Sequence, residues 1–489
     1  MRQISVVIAA AFAVIMVAAM GAAPAGADAK AGEEAFRAGD YATAIAEFEA
    51  ATEAKPEDPI LWHWLGVTYA NVEREQDAIN ALAKAAELAP EDAEIRNNLG
   101  TAYLTAGRAG DAILEYREAV RISPDYTQAH YNLGNAYLRQ ERWDDAIAAY
   151  RRATELDPDL TDAWRNLGIA LEGKKTRKAE AFEAYSVCAR LDPKSADCRL
   201  RMGALARALK KYQEAEAALK EALALEPPAD IAFSAAMTLG LTYFDQDRFG
   251  PAAEQFAAAA RLRADDFNAW YNLGVSRHRD GKWVEAMAAY QEALNIKPQH
   301  VEAMNSLGST LFEQGLTDEA IAQWQALVEI APRDYWKVHR NLAIAYARKG
   351  DDEHAIQEWE RVVERQPLDA RALDQLAGLY LKTEQFDKAE ARYRALLEIE
   401  RDNVGARNNL GLIYERKGEY KRAEAEYRAA LEVAPDAPYL HNNLGVVLER
   451  QAKYEAAAAE YRRALELDPD YADAKQNIER LKDAGRIKP

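Results

Sequence analysis

Asparagine recurs at a fixed spacing along this chain of 489 residues. It occupies the sixth position of a 34-residue repeat at Asn98, Asn132, Asn166, Asn272, Asn341, Asn409 and Asn443. A side-chain amide offers two N–H donors and one carbonyl acceptor, so it can pair with the backbone of an extended peptide of any sequence. This chemistry serves recognition rather than bond breaking. The spacing therefore predicts a row of peptide-binding amides.

The two cysteines of the chain, Cys188 and Cys198, stand at equal distances before and after Pro193. If Pro193 marks a turn between antiparallel helices, the two side chains face each other, as disulfide geometry requires. Such a bond persists in an oxidising compartment outside the cytosol. We therefore expect a Cys188–Cys198 disulfide, with two small buried thiols as the alternative.

Residue sets typical of catalysis or metal binding do not occur in the sequence. The seven histidines are scattered, and no H-x-x-x-H motif or Cys/His cluster is present. His130, His339 and His441 fall at position 4 of their repeats, which indicates packing or groove residues. No glycine-rich phosphate loop or serine–histidine–acid set stands out. We expect a non-enzyme without a cofactor or a metal site.

The charge of the chain narrows the class of partner. Its 62 basic and 80 acidic residues leave a net charge of -18. A chain this acidic repels phosphate backbones and anionic membrane surfaces, so nucleic acid is an unlikely partner class. The acidity indicates either simple solubility or a basic partner.

The elements that would position these residues are pairs of helices. Apolar or small residues fall at repeat positions 4, 7, 8 and 11 and again at 20, 24 and 27, which is the spacing of one face of an α-helix. In one repeat these are His130, Leu133, Gly134, Tyr137, Ala146, Tyr150 and Ala153. Pro158 ends the second helix, because proline cannot continue it. Gly134 and Ala146 are expected where two helix backbones approach each other closely.

The repeat resembles the tetratricopeptide repeat family, whose signature is W-x-x-L-G-x-x-Y, A-x-x-x-F, A and P. One repeat matches it at Trp62, Leu65, Gly66, Tyr69, Ala78, Ala85 and Pro90. The resemblance covers nearly the whole chain. It implies an all-α, right-handed α-α superhelix of helix-turn-helix repeats that binds proteins and catalyses nothing.

The asparagine row is similar to the one in the superhelical repeat region of O-linked N-acetylglucosamine transferase, where such amides hold a peptide backbone. The alternative is that asparagine is the family consensus at this position. The row is interrupted at Trp64, Arg201, Thr238 and Gln375. Trp64, with Trp62 and His63, could form an aromatic hot spot for a partner. The basic clamp with which some co-chaperones hold acidic C-termini needs a lysine and an asparagine four residues apart on the first helix. It is not reproduced here, since Arg340, for example, is followed by Ile344 at that spacing.

Twelve full repeats are expected, preceded by a degenerate one over residues 28–58 and followed by a capping helix and tail over 472–489. Their first residues are Pro59, Ala93, Thr127, Thr161, Ala196, Phe233, Phe267, Val301, Trp336, Ala370, Val404 and Pro438. The spacing slips in the turn at 173–178, at Tyr335 and, most of all, at Pro227-Pro228 with 230–232 inserted. This last break predicts a bend between a first arm (59–229) and a second arm (230–471), or else a tolerated insertion.

The N-terminus has the pattern of a bacterial export signal. Arg2 precedes an apolar run over residues 4–20, and the small-x-small pattern of residues 25–27 predicts cleavage before Asp28. An uncleaved membrane anchor is the alternative. No cysteine precedes Cys188, so no lipid-bearing cysteine is expected near the cleavage site. We expect residues 1–27 to be a signal peptide and the mature protein to be periplasmic or secreted, without stable membrane insertion.

Two functions follow from these patterns. The first is a scaffold that holds a peptide or a flexible partner segment along its concave face. The second is a structural subunit of an envelope complex for polysaccharide export, pilus assembly or outer-membrane assembly. The partner and the oligomeric state are not specified by the sequence.

Overall fold

The computed structural model describes residues 27–332 and 335–488, and every regular element in them is an α-helix. The helices of the N-terminal half are α1 (Ala27–Arg37), α2 (Tyr41–Ala54), α3 (Pro59–Asn71), α4 (Glu75–Leu88), α5 (Ala93–Thr105), α6 (Ala109–Ile122), α7 (Thr127–Arg139), α8 (Trp143–Leu156), α9 (Thr161–Gly173), α10 (Lys178–Leu191), α11 (Ala196–Ala208), α12 (Tyr212–Ala224) and α13 (Ala229–Phe244). The predicted signal peptide lies outside the described residues except for Ala27.

The remaining helices continue the same alternation. They are α14 (Phe249–Leu262), α15 (Phe267–Arg279), α16 (Trp283–Ile296), α17 (Val301–Glu313), α18 (Thr317–Ile330), α19 (Trp336–Lys349), α20 (Asp352–Arg365), α21 (Ala370–Lys382), α22 (Phe386–Ile399), α23 (Val404–Arg416), α24 (Tyr420–Val433), α25 (Pro438–Arg450), α26 (Tyr454–Leu467) and α27 (Ala472–Asp483). Odd-numbered helices are the first of each pair and even-numbered helices the second. The predicted all-α fold of twelve full helix pairs, one shorter pair and a terminal helix is confirmed.

The helix starts follow local capping chemistry. The side chains of Asp92, Asp266 and Asp369 accept hydrogen bonds from backbone N–H groups in the first turns of α5, α15 and α21. Proline begins α3 and α25, where its missing N–H costs nothing. Because these signals are local, eleven of the twelve predicted repeat starts coincide with helix starts.

The exception is α13, which begins at Ala229 and not at Phe233 as predicted. Residues 230–232, expected as an insertion between repeats, form an additional helical turn. The carbonyl of Pro228 accepts hydrogen bonds from the N–H groups of Ile231 and Ala232 at 2.9 and 3.0 Å and so starts the helix. Proline at this point favours a helix start. The bend predicted at Pro227-Pro228 stays a prediction.

In most helix pairs a ring of the second helix lies on a glycine of the first, whereas a leucine takes the place of the ring on Gly66 and Gly203. A Cβ atom added to Gly134 would stand 2.6 Å from Cε1 of Tyr150, whose ring is fully buried. The close approach expected at Gly134 is therefore between a glycine and a side chain, and not between two backbones. Tyrosine rings lie in the same way on Gly100, Gly168, Gly274, Gly411 and Gly445.

The chain divides into two compact units, residues 1–242 and 243–489. In the first unit, one apolar cluster surrounds Trp64 and Leu82 and another surrounds Tyr150 and Tyr185. In the second unit, the corresponding clusters surround Trp324 and Tyr427. The core of each unit therefore continues from repeat to repeat, as a stacked array requires.

Two atypical elements cover the ends of these cores. In the shorter first pair, Phe36 and Phe48 are buried against Trp64 of α3. At the other end, Ile478 and Leu481 of α27 face inward, as predicted, and are 8% and 2% exposed. Both elements keep apolar faces away from water where the repeat has no full neighbour.

Candidate functional site: the inner face and its amide row

The candidate site lies on the first helices of the repeats. Within the first unit α3, α5, α7 and α9 approach one another directly, and within the second unit α15, α17 and α19 do the same, whereas consecutive second helices do not approach to this extent in the described residues. Repeat positions 2, 5, 6, 9 and 13 share one face of these helices, because an α-helix turns 100° per residue. We call this the inner face. All seven predicted asparagines lie on it.

The position-6 asparagines bond to the repeat before them. In three cases the Nδ2 group donates to Oδ1 of an asparagine at position 5 of the preceding first helix, and Asn477 of the terminal helix repeats the contact. The pairs are Asn132 to Asn97 (2.9 Å), Asn341 to Asn305 (2.9 Å), Asn443 to Asn408 (3.0 Å) and Asn477 to Asn442 (3.0 Å). The predicted row is thus also a row of contacts between repeats, which we call the amide row.

Asn98 and Asn166 make the same kind of contact with other partners and are buried. The Asn98 amide lies 2.7 Å from Nε2 of His63, and the Asn166 amide donates to Oδ1 of Asn135 at 3.0 Å. Burial lowers the pKa of His63 to about 4, so its ring is neutral at pH 7 and accepts the bond. These two asparagines are 9% and 5% exposed, which leaves little surface for a ligand.

Asn272 and Asn409 depart from this pattern. Asn409 donates to the hydroxyl of Tyr393 at 2.8 Å, and its carbonyl accepts from Asn408 at 3.3 Å. Asn272 is half-buried and makes no side-chain hydrogen bond to any residue that the structure describes. The inner face therefore offers amides with unused bonding capacity at some repeats and none at others.

The interruptions of the row have separate structural reasons. Trp64 stacks on Phe48 with ring centroids 5.8 Å apart and is 6% exposed, so it is core and does not form the aromatic hot spot considered from the sequence. Arg201 pairs with Glu172 and Asp197, both at 3.1 Å. The hydroxyl of Thr238 donates to a carbonyl of its own helix, and Gln375 is exposed.

Sequence reasoning identified the donors of the amide row but missed the acceptors. These are the position-5 residues Asn97, Asn305, Asn408 and Asn442. The sequence does contain an indication of these acceptors, namely the dipeptides Asn97-Asn98, Asn408-Asn409 and Asn442-Asn443. One amide of such a pair contacts the preceding repeat and the other the following repeat, which requires only that successive first helices lie side by side.

The structure places the two cysteines together. Cys188 of α10 and Cys198 of α11 have sulfur atoms 1.96 Å apart and Cα atoms 6.1 Å apart. Both side chains are buried. The geometry is that of a bond between adjacent repeats, and the bond itself stays a prediction until its mass is measured.

The histidines at position 4 contact carboxylates of their own repeats or, in the case of His130, the backbone of the preceding repeat. His339 Nδ1 lies 2.6 Å from Glu358, His441 Nδ1 lies 2.7 Å from Glu460, and His130 Nε2 lies 2.9 Å from the carbonyl of Pro124. Across residues 27–332 and 335–488, no group of three or more His, Cys, Asp or Glu side chains is arranged to hold a metal ion. Among the described helices, none combines the length and the hydropathy of a membrane span.

Models of one repeat family match segments along most of the chain. A model described as TPR repeat matches residues 106–141 and 134–175. Five models described as Tetratricopeptide repeat match residues 35–97 and 278–342, 196–228, 237–301, 372–403, and 404–470. No curated protein matches the chain.

Three solved structures with similar helical arrays match different shares of this chain. The MamA protein is 28% identical, with 35% of this chain and 92% of that chain covered and a TM-score of 0.33. The C-terminal part of a TPR repeat-containing protein from Cytophaga hutchinsonii is 18% identical, with 49% and 98% covered and a TM-score of 0.43. The APC/C hetero-tetramer Cut9-Hcn1 is 13% identical, with 92% and 95% covered and a TM-score of 0.30.

Proposed function

Since this chain belongs to the tetratricopeptide repeat family, we propose that it is a protein-interaction scaffold that holds an extended partner segment on the inner face of its first helices. Stacked repeats offer a long continuous surface, which suits a partner without a fold of its own. The family repeat accounts for nearly every described helix. The scaffold function therefore rests on the architecture of the chain, and the kind of partner segment rests on the inner face.

One observation supports a peptide as the occupant. Asn272, Asn341 and Asn443 are half-exposed in the second unit, and their Oδ1 atoms accept no hydrogen bond from a described residue. A carbonyl acceptor left open on the inner face fits an N–H group of an extended chain. The buried Asn98 and Asn166 would instead serve the packing of neighbouring repeats.

Asn341 has two roles, a contact between repeats and an open acceptor for a peptide. They can be separated because the contact can be removed by replacing either Asn341 or its partner Asn305. Replacing either asparagine with alanine removes the same contact between repeats, so each should cost about 1 kcal/mol of stability. Only Asn341→Ala also removes the open acceptor. We expect Asn341→Ala to weaken partner binding about tenfold and Asn305→Ala to weaken it about twofold or less. Calorimetric titration with a captured partner measures the two dissociation constants.

Equal losses for the two variants would mean that Asn341 acts only through stability and would contradict peptide capture at the amide row. If neither variant changes binding while the partner still associates, the interaction uses other surfaces. That outcome favours the alternative of a structural subunit of an envelope complex.

We also propose that the chain is exported. The pattern of residues 1–27 and the facing cysteines support this proposal independently. The intact mass of protein from its native host, measured without reductant, should correspond to a chain that starts at Asp28 and lacks two hydrogen atoms. A mass that includes residues 1–27 would contradict signal cleavage, and alkylation of both cysteines without reduction would contradict the disulfide.

A further inference from the structure

The inner face of the second unit carries more cations at repeat positions 2 and 13 than that of the first unit. At position 13, four consecutive first helices end in a cation, at Arg348, Lys382, Arg416 and Arg450. The equivalent residues of the first unit, from α3 to α11, are Asn71, Thr105, Arg139, Gly173 and Ala208. The charge at position 2 differs between the units in the same way. This position is basic in α19 and α21, at Lys337 and Arg371, but acidic in α9 and α11, at Asp162 and Asp197.

Five cations of this surface make no direct ion pair within the described part of the chain. Lys337, Arg340, Arg371, Arg416 and Arg450 make no ion pair with any residue that the structure describes, and all but the half-exposed Arg340 are exposed. We call these five residues the basic face. Some cations elsewhere in the same repeats are paired, since Lys417 binds Glu390 at 3.0 Å and Lys453 binds Glu424 at 2.8 Å.

The helix dipole does not explain the position-13 cations. A cation in the last turn of a helix gains about 0.3–1 kcal/mol from the dipole. At position 13, four of the five equivalent helices in the first unit have no cation, although α11 carries Arg207 one residue earlier in its last turn. The exception, Arg139, donates to the carbonyl of Leu104 at 2.6 Å, a contact that Arg348 repeats with Phe312 at 3.1 Å but Arg416 and Arg450 do not.

The basic face coincides with an interruption of the amide row. Arg340 stands at position 5 of α19, where Asn305 and Asn408 act as acceptors in other repeats, and Gln375 replaces the donor in α21. The bond between repeats is thus lost where the cations gather. Beside them, position 9 carries the half-buried Ile344, Leu412 and Val446 in α19, α23 and α25, with Gly378 in the intervening α21, and we call these positions the apolar strip.

Carboxylates on this surface compensate the cations only in part. Glu449 is already paired with Arg480 at 2.7 Å. Asp374 and Glu415 are half-buried, and burial raises the pKa of each, while the nearby charges of Arg450 and Arg416 act on the pKa of Glu415 in the opposite direction. Glu302 and Glu313 lie at the edge of the surface, on the preceding helix α17.

We propose that the basic face binds an acidic, extended segment of a partner protein, with aliphatic side chains of that segment on the apolar strip. The inference rests on the proposed scaffold function and adds the charge of the partner. In a chain with a net charge of -18, a surface of unpaired cations selects a carboxylate-bearing ligand by charge complementarity. Its spacing of one or two cations per repeat suits carboxylates distributed along a peptide rather than the dense charge of a nucleic acid.

The test uses the full chain and two end-blocked synthetic peptides, one repeating Glu-Ser-Asp-Leu and the other Gln-Ser-Asn-Leu. We expect the acidic peptide to bind at least about tenfold more tightly at low salt, and this advantage to shrink as salt is added. The double variant Lys337→Glu/Arg371→Glu should abolish the advantage. The matched control Lys421→Glu/Arg462→Glu reverses two exposed, unpaired cations on second helices and should retain it.

Equal binding of the two peptides would overturn the acidic partner and leave the scaffold proposal standing, whereas no binding of either would count against both. Equal loss in the control variant would show a general charge effect and overturn the assignment to the basic face. A single-stranded oligonucleotide that binds more tightly than the acidic peptide would also overturn it.

Discussion

Replacing Gly134 with alanine is expected to destabilise the α7–α8 pair, although glycine to alanine normally stabilises a helix by about 1 kcal/mol. The added Cβ would stand 2.6 Å from Cε1 and 2.7 Å from Cδ1 of Tyr150. That ring is fully buried and its hydroxyl donates to Asn135 at 2.6 Å, so it has no room to move aside. Overpacking of this kind costs about 1–3 kcal/mol, which outweighs the gain in helix propensity.

Removing the ring should reverse the sign of the effect. Tyr150→Ala alone should cost about 3–5 kcal/mol, because it leaves a cavity the size of a ring between the two helices of the pair. In that background Gly134→Ala meets no obstacle and should stabilise by about 0.5–1 kcal/mol. Tyr150→Phe is the control, since it keeps the ring and removes only the hydroxyl, and Gly134→Ala should still destabilise it.

Hydrogen exchange of the amides of α7 and α8, together with denaturant unfolding, measures these effects locally, because a long repeat array need not unfold as one unit. A stabilising Gly134→Ala in the otherwise unchanged chain would show that the ring is not held on the glycine. The same result at Gly411, which contacts Tyr427, would extend that conclusion to the second unit.

The helix pairs were predictable because their signals are local. Capping residues such as Asp92 and the position of Pro90 fix helix ends within a few residues, whatever the rest of the chain does. The start of α13 was missed because the apolar period from Phe233 fixed the repeat frame, while the helix start depends on Pro228. The apolar periodicity predicts which face of the helix is buried, but it does not predict at which residue the helix begins.

The candidate site was predictable only in part. The asparagine spacing identified the inner face. Whether a given amide bonds to the preceding repeat or stays open to a ligand depends on how far apart successive first helices lie. That distance is a property of stacking, and no residue pattern within one repeat contains it. The basic face was missed for a related reason: whether Arg416 is paired depends on neighbours in other repeats.

Glu390 and Glu424 show the same dependence on neighbours. They stand at position 21, where five other repeats bury an isoleucine, namely Ile79, Ile113, Ile147, Ile321 and Ile356. Both carboxylates are half-buried, and a carboxylate that loses part of its contact with water must be paired to be tolerated. Lys417, Arg422 and Tyr414 contact Glu390 at 2.6–3.0 Å, and Lys453, Arg428 and Gln451 contact Glu424 at 2.8–3.0 Å.

These pairs should make the second unit sensitive to acid. Burial acts to raise the pKa of each carboxyl, but the hydrogen bonds from the neighbouring cations outweigh it and hold both pKa values at about 2, below the ordinary 4.5. A carboxyl with a depressed pKa contributes stability above its unfolded pKa and loses it as the pH falls through the folded one. The stabilisation should therefore be complete at pH 7 and disappear between about pH 5 and pH 2, with about 2 kcal/mol per carboxylate after allowance for the partly exposed cations.

The variant Glu390→Gln/Glu424→Gln imitates the protonated state and isolates this contribution. At pH 7 it should be less stable than the unchanged chain by about 4 kcal/mol, and the difference should fall towards zero near pH 2, as measured by hydrogen exchange or denaturant unfolding of the second unit. The control Glu364→Gln/Glu398→Gln alters two exposed carboxylates that make no ion pair with a described residue, so its stability should match that of the unchanged chain at every pH. A difference for the first variant that stays constant with pH would mean that the two carboxylates contribute by packing alone, because only an interaction with their charge can disappear as they become protonated.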